Sequence, residues 1–575
     1  MLQKALKAQI LDKSSISFVH TAQPSAKLRS SKLPLIGFAL CTLGLVLGIL
    51  LTVTPLTRLP DGVVHLHSAL GTLLVNVGGW LPKNLELLSD PVNALASAAW
   101  VEFFLLLGLV TLCYGLAAWL VARQTEARDQ HLLRSFIWVG TLLAGGIYVC
   151  TPAMLSHDIL VYAGYGRVLA IYHANPYFVP SAAFPHDPFT AINFWANTVS
   201  IYGPIWIYIC GLFSQFVPST PTSYVLAFRL FALVIHLLNS WLVGRILQQM
   251  GRAPRTVTLG MLLYAWNPLM LLESSLGGHN DILMILFVLL GVLLAARTEQ
   301  RGQVLHIRGY LPPIVALTLA VLVKFTALPI LAACLLFLVC KTLRPTDDSA
   351  RTFQQLRRNW RPALLLLVWS VSAILLLVLA LYGPFWFGHT LTDILAGFKH
   401  SPSALYNENS FMHSTVVWLH EQPARIFPLT LLTYRPFWDM LTYLGPALCL
   451  ILGAYKLWLT PTTKNFVLIA LIALIPVLLA APWFFSWYVS WIVSLAVVSL
   501  PVRSSRIQTA VLAFTLTFSV SVLLTYLFTN NYQPFHTWAY LVSAITIMPP
   551  TCAFFLMLVL WQPAHKYTRG DIKQC

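Results

Sequence analysis

Three short stretches of the chain bring together side chains able to do chemistry on a bound hydroxyl or phosphate. The first is Ser156-His157-Asp158, which follows directly on an apolar run and is itself followed by Tyr162 and Arg167. A carboxylate at the end of such a run, where water reaches it, can act as a base toward a hydroxyl held at the interface. The plainer use of Asp158 is to cap the helix that begins there. The second stretch is Glu273 with Gly277-Gly278-His279-Asn280-Asp281. Its glycines suit a tight turn, and Asn280 or Asp281 can cap the next helix. Capping does not explain why Glu273, His279 and Asp281 gather at an apolar boundary. Charge deep in a membrane costs about 2.5–3.5 kcal/mol at the centre, so Glu273 is expected to face a wet cavity. The third is Lys324, followed by Phe325-Thr326-Ala327-Leu328-Pro329. Its plainer reading is a lysine snorkelling to the interface, but a cation there can also hold a phosphate as a point charge.

The elements that must carry these residues are set by composition. The chain has 575 residues, 58% hydrophobic and only 10% charged, with mean hydropathy +0.74. Soluble domains carry about 25% charged residues, and a single soluble core stops growing near 250–300 residues. Lipid must therefore solvate the excess apolar surface, which excludes a soluble enzyme, a disordered protein and a disulfide-rich secreted domain. A spanning helix needs about 20 apolar residues. Runs of that kind occupy 33–56, 97–121, 135–155, 224–247, 257–275, 282–296, 363–386, 441–459, 466–480, 485–500, 509–528 and 539–561. The run 311–340 is too long for one untilted helix and reads as a helical pair broken near Lys324.

Basic clusters punctuate these runs, and basic clusters stay in the cytoplasm. One threading satisfies them all. It has about fourteen helices, both termini inside, and the apolar stretch 205–217 as a re-entrant or interfacial hairpin buried by protein. The formal charge of +17 then acts as an orientation device rather than a nucleic-acid footprint. Twelve of the nineteen acidic residues fall on the outer side, although they played no part in choosing the threading. The expected organisation is a basic tail at 1–32, a catalytic membrane module at 33–345 with an outer loop at 156–202, and a basic loop at 346–361. A second membrane module at 362–562 follows, with an outer loop at 387–439 and a tail at 563–575. The segment 159–169 reads as an amphipathic helix lying on the membrane. The first apolar run is too long for a cleavable signal.

The second outer loop holds His389, Asp393, Lys399, His400, Glu408, Asn409, His413, His420 and Glu421. None of its histidine spacings fits a recognised metal motif. His413, beside Asn409 and Ser414, is its best candidate for touching a substrate. Trp483, Trp487 and Tyr488 read first as an interfacial aromatic belt and second as a sugar-stacking surface. The nine cysteines are scattered with no metal spacing, so no zinc, no metal ligands and no disulfide framework are expected. No P-loop, dinucleotide fingerprint or serine-nucleophile motif is present, and no cofactor is expected.

The order of motifs from Ser156 to Pro329 resembles the type C glycosyltransferases, and among them the bacterial polyprenol-phosphate-mannose-dependent α-1,6-mannosyltransferases. The resemblance rests on His157-Asp158, Asn175-Pro176-Tyr177, Tyr202-Gly203-Pro204, Trp266-Asn267-Pro268, Gly277-Gly278-His279-Asn280-Asp281 and Lys324. It implies an all-α polytopic plasma-membrane protein with interfacial helices, acting on the extracytoplasmic face. It implies transfer of a hexose, mannose foremost, from a polyprenyl-phosphate donor to a lipid-linked or envelope glycan, with inversion. Asp158 matches the family's acidic position and is the implied base. Many relatives have a second acid there; here His157 stands in its place. His157, Tyr162, Arg167, Asn175, Tyr177, Tyr202, Glu273, His279, Asn280, Asp281, Lys324 and His413 are the implied substrate contacts. Lys324 and His279, then Arg167, would meet the charge of the leaving phosphate. The rival readings are a secondary transporter, whose broken helices would place ionisable groups near the midplane, and a non-catalytic flippase for lipid-linked sugars.

Overall fold

The computed structural model describes residues 33–58, 91–124, 127–302, 306–344, 352–394, 411, 435–481, 484–500, 505–526 and 539–560. The described residues form helices and connections, with no strand among them. The first half runs α1 (Leu33–Leu56), α2 (Pro91–Arg123), α3 (Ala127–Cys150), α4 (Asp158–Ala170), α5 (Pro204–Phe216), α6 (Pro221–Gln249), α7 (Pro254–Ala265), α8 (Pro268–Leu271), α9 (Asp281–Arg301), α10 (Ile307–Val323) and α11 (Leu328–Leu343). The second half runs α12 (Thr352–Trp386), α13 (Arg435–Leu459), α14 (Thr463–Ala480), α15 (Ser490–Val498), α16 (Arg506–Ser521) and α17 (Ala539–Leu560). Among the described residues, ten helices are long and apolar enough to cross a membrane, and four apolar helices are shorter. Three of those four, Ile307–Val323, Ser486–Val498 and Thr546–Leu560 within α17, fall on runs expected to span.

The helix boundaries follow local chemistry. Proline opens α5, α6, α7 and α8, where its missing N–H is not needed. Thr220, Thr462 and Ser505 cap α6, α14 and α16 with side-chain oxygens. Glu299, near the end of α9, adds a second cap to α14 by accepting from the N–H and hydroxyl of Thr463 at 2.7 and 2.5 Å. Gly302 ends α9 in the left-handed conformation.

Three expectations change. The run 257–275 is not one helix. It breaks after Ala265, restarts as α8, and continues as a π-helical turn over Leu272–Leu276. The stretch 205–217 is a single helix, α5, rather than a hairpin. At 13 residues it is too short to span, and it packs against α4. Nor does α4 lie on a surface, because Ile159 through Val168 are all buried. Its polar-looking glycines serve contact instead: a Cβ on Gly166 would overlap the Cys210 carbonyl of α5.

Gly203 has the same role at a more consequential place. Its N–H donates to the Val323 carbonyl at 3.0 Å, and a Cβ there would overlap the backbone carbonyl of Leu322. The start of α5 therefore rests directly on the last turn before Lys324. Gly203→Ala is expected to lose about 1–3 kcal/mol through overpacking. Thermal unfolding in detergent should show this as a lower transition temperature, and an unchanged transition would contradict the close approach.

Candidate active site

Asp158 is the first residue of α4, but it does not spend its carboxylate on capping. Ser156 does that work locally, its Oγ accepting from the Asp158 N–H at 3.3 Å, and His157 at the N-cap makes no side-chain cap. Asp158 Oδ2 instead accepts from the Tyr162 hydroxyl at 3.3 Å, one turn along, and lies 3.4 Å from His279 Nδ1. Oδ1 takes no hydrogen bond among the described residues. A carboxylate in a first helical turn also meets the positive end of the helix dipole.

His279 lies between two acids. Its Nε2 is 3.2 Å from Glu273 Oε2, and its ring stacks on Trp487 at 3.9 Å. Both His279 and Glu273 are 1% exposed. Glu273 comes from the π-helical turn, an irregularity common at functional positions. Its other contacts come from the second half of the chain. Ser486 Oγ donates to Oε1 at 2.7 Å, and the Tyr526 hydroxyl reaches both oxygens at 3.0 and 3.1 Å. Burial disfavours a charge on His279, but hydrogen bonding and attraction from the two carboxylates outweigh it and raise its pKa to about 9.

Lys324 forms the second charged pair. It stands in extended backbone between α10 and the turn before α11. Its ammonium donates to Asp281 Oδ1 at 2.8 Å and lies over the rings of Tyr488 and Trp491 at 4.5 and 5.2 Å. Trp491 Nε1 donates to the same carboxylate oxygen at 2.5 Å. Asp158 and Lys324 both line one cleft, whose walls are largely aromatic, among them Tyr165, Trp195, Tyr202 and Trp487. Glu273, His279 and Asp281 stand behind this lining. The arrangement offers a free carboxylate oxygen and an ammonium to a molecule held between aromatic rings.

The other expected contacts are placed around it. Tyr162 is fully buried and packs edge-on to Tyr202. Tyr177 donates its hydroxyl to the Tyr202 carbonyl at 2.8 Å. Asn175 accepts from the Tyr177 N–H and donates to Phe385 O at the end of α12. Asn175 and Tyr177 therefore brace the cleft wall without lining it. His157 stacks against Phe194, and burial pushes its imidazole below the ordinary value in spite of Asp158. Arg167 points elsewhere: it pairs with Asp187 at 2.7 Å and donates to Ser219. The Asn280 amide is buried, makes no hydrogen bond among the described residues, and does not line the cleft. In the Trp266-Asn267-Pro268 motif, Asn267 caps α8 and donates to Ser519, while Trp266 donates to Ile137 O. His413 and Trp483 lie outside the described residues. Of the second loop, His389 stacks on Phe178, and Asp393 accepts from Thr390.

Residues 65–340 match the family described as alpha-(1->6)-mannopyranosyltransferase, N-terminal domain. The chain is similar in sequence to bacterial α-1,6-mannosyltransferases. It is 25% identical over 321 residues to alpha-(1->6)-mannopyranosyltransferase A of Mycobacterium tuberculosis, covering 54% of this chain and 56% of that protein. It is 28% identical over 145 residues to the Corynebacterium glutamicum protein of the same name, covering 25% of this chain and 29% of the other. A probable alpha-(1->6)-mannopyranosyltransferase of Mycolicibacterium smegmatis is 25% identical over 247 residues, with 42% and 44% covered. The chain thus spans at most about half the length of these mannosyltransferases. No solved structure matches it. The family segment contains Asp158, Glu273, His279, Asp281 and Lys324, but not Ser486, Trp487, Trp491 or Tyr526.

Among the described residues, no group of three or more His, Cys, Asp or Glu side chains is arranged to hold a metal ion. Sequence reading missed Ser486, Trp491 and Tyr526, because a serine, a tryptophan and a tyrosine in apolar runs carry no signal of their own. It also missed Arg229, a basic residue inside the run 224–247, where the cost of charge was the available clue.

The raised pKa has a consequence for stability. His279 moves from an ordinary 6.5 to about 9 on folding. Its ion contacts therefore stabilise the fold fully below pH 6.5 and fade as pH rises through 9. The transition temperature should fall over this window in the wild-type chain and fall less in His279→Gln. Equal declines in the two would rule out His279 as the source.

Proposed function

We propose that the chain is an integral-membrane mannosyltransferase that takes its sugar from a polyprenyl-phosphate donor. The acceptor is a lipid-linked glycan of the cell envelope, and the site faces the extracytoplasmic side of the plasma membrane, with both termini cytoplasmic. The observation that carries the reading is that Asp158 and Lys324 line the same aromatic cleft. Relatedness to the α-1,6-mannosyltransferases supports the sugar and the linkage class.

The chemistry follows from what each group can offer. Asp158 Oδ1 accepts the proton of the acceptor hydroxyl as that oxygen bonds to the anomeric carbon. The bond from the anomeric carbon to the phosphate oxygen breaks, and the phosphate departs with the bonding pair. Lys324 meets the charge that develops there. Of the acids in the charged network, Glu273 and Asp281 stand behind the cleft lining and are held by neighbours. One free carboxylate suits a single displacement, which inverts the anomeric centre; a double displacement would need a second carboxylate as nucleophile. The aromatic walls suit the apolar face of a sugar and the first units of a polyprenyl chain.

Transfer from radiolabelled polyprenyl-phosphate-mannose to a lipid-linked mannan acceptor tests the reading. Asp158→Ala and Asp158→Asn should each lower kcat by about 10²–10⁴-fold, with the protein still folded. Full activity in either would remove Asp158 as the base. Transfer from a nucleotide sugar alone would overturn the donor class. Lys324→Met should lower kcat by about 10²-fold or more, and wild-type turnover there would remove it as the phosphate partner.

A further inference from the structure

Arg229 is a guanidinium with no exposed surface, inside α6, and no carboxylate stands within ion-pair distance of it among the described residues. Its partners are backbone carbonyls from two places. Nη1 donates to Thr151 O at 2.7 Å and more weakly to Val149 O at 3.4 Å, and Nη2 donates to Ala153 O at 2.6 Å. Nε donates to Leu276 O at 2.8 Å. The first three carbonyls belong to the end of α3 and the segment leading to Asp158. The fourth ends the π-helical turn and leads to His279. Carbonyls at helix ends have no partner within their helix and carry partial negative charge. A planar fork of five N–H donors is the side chain that can serve several of them at once.

The same three segments meet again at Gly278. Its φ is +62°, and a Cβ there would lie 2.8 Å from Ile159 Cδ1 and 3.7 Å from the Arg229 backbone N. Ile159 follows Asp158, and Gly278 precedes His279. So the side chain of Arg229 ties the two segments together behind the site, and its backbone packs where they touch.

We infer that Arg229 is a positioning residue: it fixes the segment before Asp158 against the segment before His279, and so sets the spacing of that pair. The inference rests on the proposed role of Asp158 for its kinetic consequence, but not for its structural one. No bond of Arg229 reaches the cleft, so its loss acts through the pair.

The test uses the full chain in detergent or nanodiscs. Hydrogen exchange and transfer kinetics are measured on the wild type, Arg229→Gln and Arg229→Lys. Lysine keeps the charge but cannot fork across both segments. Both variants should exchange faster at 149–158 and 274–281 together, while the rest of α6 keeps its protection. Both should lower kcat by about 30-fold or more with KM changed less than about threefold. If Arg229→Gln does not accumulate, Arg229→Lys carries the test alone. Wild-type protection at both segments overturns the clamp. Faster exchange there with unchanged kcat overturns its role in positioning. If the wild-type chain transfers no mannose, the functional reading fails, and the exchange data still decide the clamp.

Discussion

Charge compensation in a place with little water is the constraint on which this site depends. Asp158, His279, Glu273, Lys324 and Asp281 lie together, and four of the five are at most about a tenth exposed at the side chain. None could stay ionised there alone. The groups alternate in sign along their contacts, with His279 between Asp158 and Glu273 and Lys324 against Asp281. Each cation holds an acid in place, and each acid is also held by hydroxyl or indole donors. Asp158, with 19% of its side chain exposed, is the one acid of the three that lines the cleft.

That requirement shapes the backbone. To deliver Glu273 and His279 to one spot, the chain abandons regular helix between Ala265 and Asp281 and uses a four-residue helix, a π-helical turn and a left-handed glycine. To deliver Lys324 it breaks a helical pair with an extended residue. Irregular backbone at such depth is tolerated only where protein buries it and satisfies its polar groups. Asn267 does this at the start of the break, and Arg229 does it at the end. The buried α4 and α5, joined through Gly166, close the near side.

The sequence made the helices legible because length and hydropathy suffice for a lipid-solvated run, and the break at Lys324 was legible because a lysine interrupts one. The convergence of Asp158, Glu273, His279, Asp281 and Lys324 could be anticipated because charge is so scarce in this chain. The interior of 257–275 could not be read as broken, since the residues of a π-helical turn are as apolar as those of a helix. The burial of α4 was hidden for a similar reason: glycine, tyrosine and arginine look like a wet face. In fact the glycines admit α5, and Arg167 is neutralised by Asp187, which is distant in sequence. Roles set by a distant partner, such as those of Arg167 and Asn175, leave no local pattern to read.

The family segment and the site do not coincide. The family segment ends at residue 340, and within it every ionised group of the network is present. Yet Glu273 takes its hydroxyl donors from Ser486 and Tyr526, Asp281 takes its indole donor from Trp491, and His279 stacks on Trp487. Without these, Glu273 would keep only His279 and Asp281 only Lys324, each in a low-dielectric setting where one contact does not offset desolvation. The charges are therefore supplied by the first half of the chain and their orientation by the second. At these few points the second half supplies only donors and rings, and a hydroxyl or an indole N–H asks little of its neighbours. The ionised groups have no such latitude, since each must match both the sign and the reach of the next.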